Sequence, residues 1–232
     1  MKLTIIIPVY NEIKTLEKII NKIINIKKIN KQIIIVDDGS SDGTTKLIKS
    51  RIASRVNKVI YHKKNKGKGA AIKTAQKYLK GDYVLIQDAD LEYDPRDYFK
   101  LLKPLAQKSS SVVYGSRVLG KKRYSSKNFI SLSRVFVNHI LTIVSNLLNK
   151  QNLTDAHTCY KVFLTSVFKK IELKEFDFAF CPEVTSKISK MGLKIIEVPI
   201  SYKGRTQKEG KKIGIFDGFR ALYVLLKYRF TN

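Results

Sequence analysis

Four short apolar runs, each followed by a helical pattern or a turn, constrain this chain more than any other feature of its sequence. Leu3 to Val9, Gln32 to Val36, Lys58 to Tyr61 and Asp82 to Ile86 are rich in β-branched residues and read as buried strands. Between them, Ile13, Leu16, Ile19, Ile20, Ile23 and Ile24 recur at helical spacing from Ile13 to Ile26. Asp42-Gly43 opens a second helix carrying Leu47 and Ile48, and a basic loop from His62 to Lys68 leads into a third over Gly69 to Leu79. Strands separated by helical patterns of roughly 10–15 residues pair in parallel as βαβ units. The expected fold is therefore α/β, a doubly wound sheet whose ligands lie beyond the carboxyl ends of its strands.

The second half patterns less regularly. Val112 to Tyr114 and Leu193 to Ile200 read as strands, and Phe129 to Leu148, Pro182 to Met191 and Phe216 to Phe230 as amphipathic helices. A polar, Gly- and Lys-rich loop spans Ser201 to Ile213. No repeat or linker interrupts the chain, and its 232 residues suit one well-buried domain.

Lys and Arg number 45 against 19 Asp and Glu, a formal net charge of +26. Such a surface attracts phosphates of any kind, and part of the excess is simply solvated lysine. No helix-turn-helix, zinc or RNP pattern accompanies the charge, which leaves a nucleic-acid-binding protein as a remote alternative. Cys159 and Cys181 lack metal-site or redox spacing. Met1 runs straight into a strand pattern without a leader, so a cytoplasmic setting is expected. No stretch reaches the roughly 18 apolar residues of a membrane span. Val135 to Leu148 comes nearest and is interrupted by Asn138, His139 and Asn146. Lying in the interface, this helix and Phe216 to Phe230 would dock the protein peripherally on an anionic membrane face. Simple packing of both helices on the sheet explains their apolar residues equally well.

Three clusters sit where strands end: Tyr10-Asn11-Glu12, Asp37-Asp38 and Asp88-Ala89-Asp90. Each alone is an ordinary loop or helix cap, as Asp38 and Asp42 illustrate. Together they share the ligand-binding rim of a parallel sheet. In Asp-x-Asp the two carboxylates project to one side of an extended chain, which suits a hard divalent cation shared with substrate phosphates.

In these residues the chain resembles the family 2 glycosyltransferases of GT-A fold, and among them those akin to dolichyl-phosphate mannose synthase and the polyprenyl-phosphate glycosyltransferases. The matching segments are Ile6 to Glu12, Val36 to Thr44, Asn65 to Ala70, Asp88 to Pro95 and Tyr114 to Arg117. Further on come Thr154-Asp155, Thr158 to Phe163, Pro182-Glu183 and Val198 to Thr206. The resemblance implies one catalytic domain over 1–232, with a nucleotide-sugar-binding half to about 115 and an acceptor-binding half beyond it. Pro8, Tyr10, Asn11, Glu12 and Asp37 would line the nucleoside pocket, completed by Asp38 and the Gly67-Lys68-Gly69 turn. Asp88 would sit at the ribose and metal, Asp90 would be the more direct ligand of Mg²⁺ or Mn²⁺, and Glu92 stands where mannose synthases place glutamine. Arg117, Arg134, Arg205 and Lys212 would grip acceptor or donor phosphates, with Asp88, Asp90, Arg117 and Arg205 as the catalytic set. Cys159 replaces a glycine common in relatives.

The implied reaction is inverting, metal-dependent hexose transfer from a GDP- or UDP-linked sugar to a polyprenyl phosphate, either dolichyl or undecaprenyl. A lipid phosphate is already an anion at neutral pH and needs little help from a general base. The alternative acceptor is a hydroxyl of a soluble sugar or cell-surface polysaccharide. That chemistry demands a base, for which Glu183 or Asp155 would serve. His139 reads as a packed helix residue, and His157 more as a site wall than as a base.

Overall fold

The computed structural model describes residues 1–120, 129–205 and 215–231, with the side chains of 129–134 and 215–217 outside the description. Lys212 lies outside the described residues, and of Arg134 only its place on a helix is described. Seven strands form a single sheet: β1 (Lys2–Val9), β2 (Asn30–Asp37), β3 (Lys58–Tyr61), β4 (Tyr83–Ile86), β5 (Val112–Ser116), β6 (Lys161–Leu164) and β7 (Ile196–Pro199). Their order is β3-β2-β1-β4-β6-β5-β7.

The first four strands are parallel, and their carboxyl ends share one rim, with β4 ending three residues short of β1. Val9 pairs with Asp37, Asp37 with Tyr61, and Ile6 with Ile86. Tyr10, Asp38, His62 and Gln87 therefore all leave the sheet along one rim. The middles of β1, β2 and β4 are continuous buried apolar runs because helices cover both faces, as parallel sheets require. Helix α1 (Leu16–Ile24) buries Leu16, Ile19, Ile20 and Ile23. Helix α2 (Thr44–Leu47) continues through a π-helical turn, Ile48–Ile52. Helix α3 (Lys68–Gln76) buries the small residues Gly69, Ala70, Ala71 and Ala75, which lets it sit close to β1 and β2.

Beyond β4 the structure departs from the sequence pattern. Helix α4 (Tyr98–Ala106) packs Tyr98, Leu101, Leu102 and Leu105 inward despite Pro104 within it. Strand β6 runs antiparallel to both β4 and β5, between them. The expected strand at Val112 is flanked on its other side by β7, in parallel. Helices α5 (Phe129–Asn149), α6 (Thr165–Lys170), α7 (Phe180–Lys190) and α8 (Ile215–Phe230) complete the chain, and α5, α7 and α8 pack on one another. Among the described residues no helix is long and apolar enough to cross a membrane.

Candidate active site

The shared rim of β1, β2 and β4 opens into a cleft of about 470 Å³ lined by Pro8, Tyr10, Glu12, Asp38, Asn65, Gly67, Lys68, Asp88, Asp90, Glu92, Asp177, Phe178 and Arg205. Most of the residues expected at a nucleotide site are thus brought together. Asn11 and Asp37 stand behind the lining. Asn11 adopts a left-handed backbone (φ 52°), and its Oδ1 accepts the Ser41 N–H at 2.8 Å, tying the β1 loop to the β2 loop. The buried Asp37 carboxylate accepts the Ser40 N–H at 3.1 Å and the Thr45 hydroxyl, closing its own turn.

Asp38 organises the basic loop. Its Oδ2 accepts the Gly67 N–H at 2.7 Å and the Lys66 N–H at 3.1 Å, and its Oδ1 meets His62 Nδ1 at 2.6 Å. The glycines that follow are needed for a close approach by the chain itself. A Cβ on Gly67 (φ +95°) would lie 2.2 Å from the Phe176 carbonyl oxygen, and one on Gly69 2.2 Å from that of Glu175. The segment around residue 176 is therefore the second wall of the cleft.

At the floor, Lys68 Nζ donates to Asp88 Oδ1 and lies 3.3 Å from Cys159 Sγ. Burial pushes the Asp88 carboxyl up, but the Lys68 ammonium outweighs it and leaves Asp88 below the usual carboxylate range. Asp90 behaves oppositely. Burial, and then the charges of Asp88 and Glu92, push it up to about 7 in spite of Arg205. Arg205 is shared by three acids. Nη1 contacts both Glu12 carboxylate oxygens at 3.1 Å, and Nη2 reaches Asp90 Oδ2 at 2.8 Å. The Arg205 backbone N–H donates to Glu92 Oε1 at 2.6 Å.

Glu92 leads to the other half of the site. Its Oε2 accepts the Tyr202 hydroxyl at 2.9 Å, and the Arg117 guanidinium lies 5.1 Å from the Tyr202 ring centre. Arg117 forks onto Asp155, Nε to Oδ2 at 2.7 Å and Nη2 to Oδ1 at 2.8 Å. Burial lowers the Arg117 pKa, but Asp155 more than reverses this, so the guanidinium stays charged. Arg117 and Arg205 thus flank one tyrosine, with Arg117 held by its own acid. Glu183 is fully buried and accepts the N–H groups of Lys174 (2.6 Å) and Glu175 (2.9 Å) and the Lys187 ammonium (2.7 Å). Asp177 and Phe178 line the cleft without any signal in the sequence pattern. The Gly67 and Gly69 spacing announces that something packs there, not what.

The carboxylates suit a hard divalent cation: Asp88 and Asp90 offer oxygen donors, and Asp90 is short of positive charge. Among the described residues no three acidic, histidine or cysteine side chains form a ready metal cage. A cation here would share its ligands with a bound diphosphate.

A family model, glycosyl transferase family 2, matches residues 4–172. The chain belongs to that family. It is a glycosyltransferase, and its fold is of GT-A type. It is 31% identical to a UDP-N-acetylglucosamine–dolichyl-phosphate N-acetylglucosaminyltransferase of Methanococcus voltae, covering 96% of this chain and 94% of that one. It is 29% identical to a dolichol-phosphate mannosyltransferase of Pyrococcus furiosus, covering 98% of this chain but only 64% of that longer protein. The crystal structure of a Mycobacterium tuberculosis glucosyl-3-phosphoglycerate synthase superposes with a TM-score of 0.75 at 16% identity, over 100% of this chain and 81% of that one.

Proposed function

We propose that this glycosyltransferase moves a hexose, with inversion, from a nucleotide-diphosphate sugar onto a polyprenyl phosphate, with Mg²⁺ or Mn²⁺ as cofactor. The observation that carries the reading is the acid pocket of Glu12, Asp90 and Glu92 at the rim of the cleft, gathered around the guanidinium of Arg205. The relatives named for dolichyl-phosphate transfer support the acceptor class. Related structures crystallised with Mn²⁺ or Mg²⁺ and uridine diphosphate support the donor class.

Asp88 and Asp90 would hold the cation, which would supply charge neutralisation for a departing diphosphate. Arg205 is set to follow the same charge. Its Nε–H is buried and has no hydrogen-bond partner among the described residues, so a donor phosphate oxygen would satisfy it. Asp38 keeps the Gly67 turn folded against the nucleoside pocket, and Lys68 compensates Asp88. The acceptor enters from the Arg117 and Tyr202 side. Neither Asp155 nor Glu183 is placed to act as a base: one is forked by Arg117, the other fully buried on α7 and held by two backbone N–H groups and Lys187. An acceptor that is already an anion needs no such base.

Docking at the membrane fits the exposed apolar residues of two adjacent helices. Phe136, Ile140, Ile143 and Leu147 on α5 and Phe219, Tyr223, Leu226 and Phe230 on α8 face outward. The +26 charge supplies attraction to an anionic, cytoplasmic-face surface. Incubating the protein with radiolabelled UDP- and GDP-sugars and a polyprenyl phosphate tests the assignment. Label must enter the lipid phase with one sugar nucleotide. Transfer to water-soluble sugars alone would replace the acceptor.

A further inference from the structure

The wall of the cleft formed by residues 174–178 has no regular structure of its own, yet it sets the cleft's width. Asp177 and Phe178 line the cleft, and the carbonyls of Glu175 and Phe176 press on Gly69 and Gly67. The Ala70 N–H donates to the Phe176 carbonyl at 3.1 Å, so the wall also meets the start of α3. From behind, it is held by two helices: Glu183 on α7 accepts the Lys174 and Glu175 backbone N–H groups, and α8 grips the wall's side chains. The buried Glu175 carboxylate accepts Lys227 Nζ at 2.8 Å, the Tyr228 hydroxyl at 3.0 Å and Arg220 Nη2 at 3.1 Å. Arg220 Nε also pairs with Asp177, the wall residue that faces the cleft. Arg220, Lys227 and Tyr228 lie two helical turns apart on one side of α8.

We propose that α8 positions the donor-binding wall, with Arg220 and Lys227 as positioning residues acting through Glu175 and Asp177; the proposal rests on the reading of the cleft as the donor site. A segment without regular structure gains a fixed place only from what packs on it, and here the α8 anchor is ionic and shared between two carboxylates. The two glycines transmit its position, because there is no side chain between the wall and the turn that carries Lys68. Helix α8 is also the one whose outer side presents Phe219, Tyr223, Leu226 and Phe230, so membrane docking and donor binding share a single element.

The test is calorimetric titration of UDP and of GDP, each with Mn²⁺, into the wild-type chain and into Arg220→Met, Lys227→Met and the double variant. Both side chains are partly exposed, at 49% and 35%, so the variants keep a folded core. The double variant should bind the wild type's nucleotide roughly fivefold to tenfold more weakly, and Arg220→Lys should recover part of the loss. Donor KM should rise by the same factor while kcat stays within about twofold. Lys190→Met serves as the control, since Lys190 ties α7 to the end of α8 at the Thr231 carbonyl without touching the wall. It should leave nucleotide affinity unchanged. Wild-type affinity in the double variant, or an equal loss in Lys190→Met, would overturn the proposal alone. If the wild-type chain bound neither nucleotide, the donor reading would fail and the proposal with it.

Discussion

On the rim of β1 and β4, Glu12, Asp90 and Glu92 gather around the guanidinium of Arg205, which reaches them from the loop after β7. In the second half of the chain, Asp155, Glu183 and Glu197 are each enclosed by several donors of their own. Glu197 accepts the Thr154 N–H at 2.6 Å and the Asp155 N–H at 2.9 Å, Asp155 takes both arms of Arg117, and Glu183 holds two backbone N–H groups and a lysine. In the first set Asp90 is pushed up to about 7 by burial and by the charges of Asp88 and Glu92, so it can take up more positive charge. The second set is satisfied and builds the scaffold. Residue type does not distinguish the two sets; the number and source of their partners does.

The contrast breaks most sharply at Asp90. Asp90→Ala removes the carboxylate left short of positive charge, so kcat/KM should fall by about a thousandfold or more, worth about 4 kcal/mol of transition-state stabilisation. Circular dichroism should be unchanged, and exhaustive EDTA treatment of the wild type should reproduce the loss until Mg²⁺ or Mn²⁺ is restored. Full transfer in either case would remove the metal from the mechanism.

Glu183→Ala tests the opposite class. It strands the N–H groups of Lys174 and Glu175 and leaves Lys187 without its carboxylate, a loss of roughly 3–5 kcal/mol in chemical unfolding. The kcat per folded molecule should survive, with donor KM raised because the cleft wall at Lys174 and Glu175 loses an anchor. A stable protein with abolished transfer would make Glu183 the base that a hydroxyl acceptor requires.

His157 sharpens the comparison through pH. Burial, and then the Lys161 ammonium, push its imidazole down to about 4 in the folded state, against 6.5 in the unfolded chain. The unfolded state then binds the extra proton below pH 6.5, so stability is complete above that value and falls as pH drops from 6.5 to 4. The loss reaches up to about 3 kcal/mol. Thermal melts across this range should show a shallower acid decline in His157→Gln than in the wild type. Parallel curves would mean that the imidazole titrates freely.

The donor rim could be read from the sequence because a parallel sheet makes it so: buried strands are continuous apolar runs, and their ends along one rim put Glu12, Asp38, Asp88 and Asp90 side by side. The rest depended on distant packing. Strand β6 is four residues long and carries Lys161 in its first position, a residue type that reads as surface. Its ammonium is instead buried, donating to the Ala156 and Thr158 carbonyls 3.9 Å from the Tyr114 ring centre. The sequence offers Arg205 as a candidate for gripping phosphate, but not as the partner of Glu12, from which 193 residues separate it. Nor does local periodicity carry the contact of α8 with the cleft wall, since every link in it joins residues far apart in the chain.

The smallest effects divide the two arginines. Lysine keeps the charge but loses the planar fork, so each Arg→Lys change should cost about 1.5 kcal/mol, roughly tenfold, in the reaction its guanidinium serves. Arg205 sits among the donor-side acids, and Arg205→Lys should slow both transfer to polyprenyl phosphate and the slow hydrolysis of the donor by water. Arg117 stands across Tyr202 from that pocket, braced by Asp155, where an incoming phosphate would meet it. Arg117→Lys should therefore depress transfer while donor hydrolysis largely survives. The bracing matters to the reading: Asp155→Asn leaves the guanidinium in place but loosens its orientation, and should reproduce the Arg117→Lys pattern more weakly. Measuring both reactions in all three variants separates the possibilities. If hydrolysis and transfer fall together in Arg117→Lys, the two arginines belong to one diphosphate site, and the division of the cleft into donor and acceptor sides at Tyr202 is wrong.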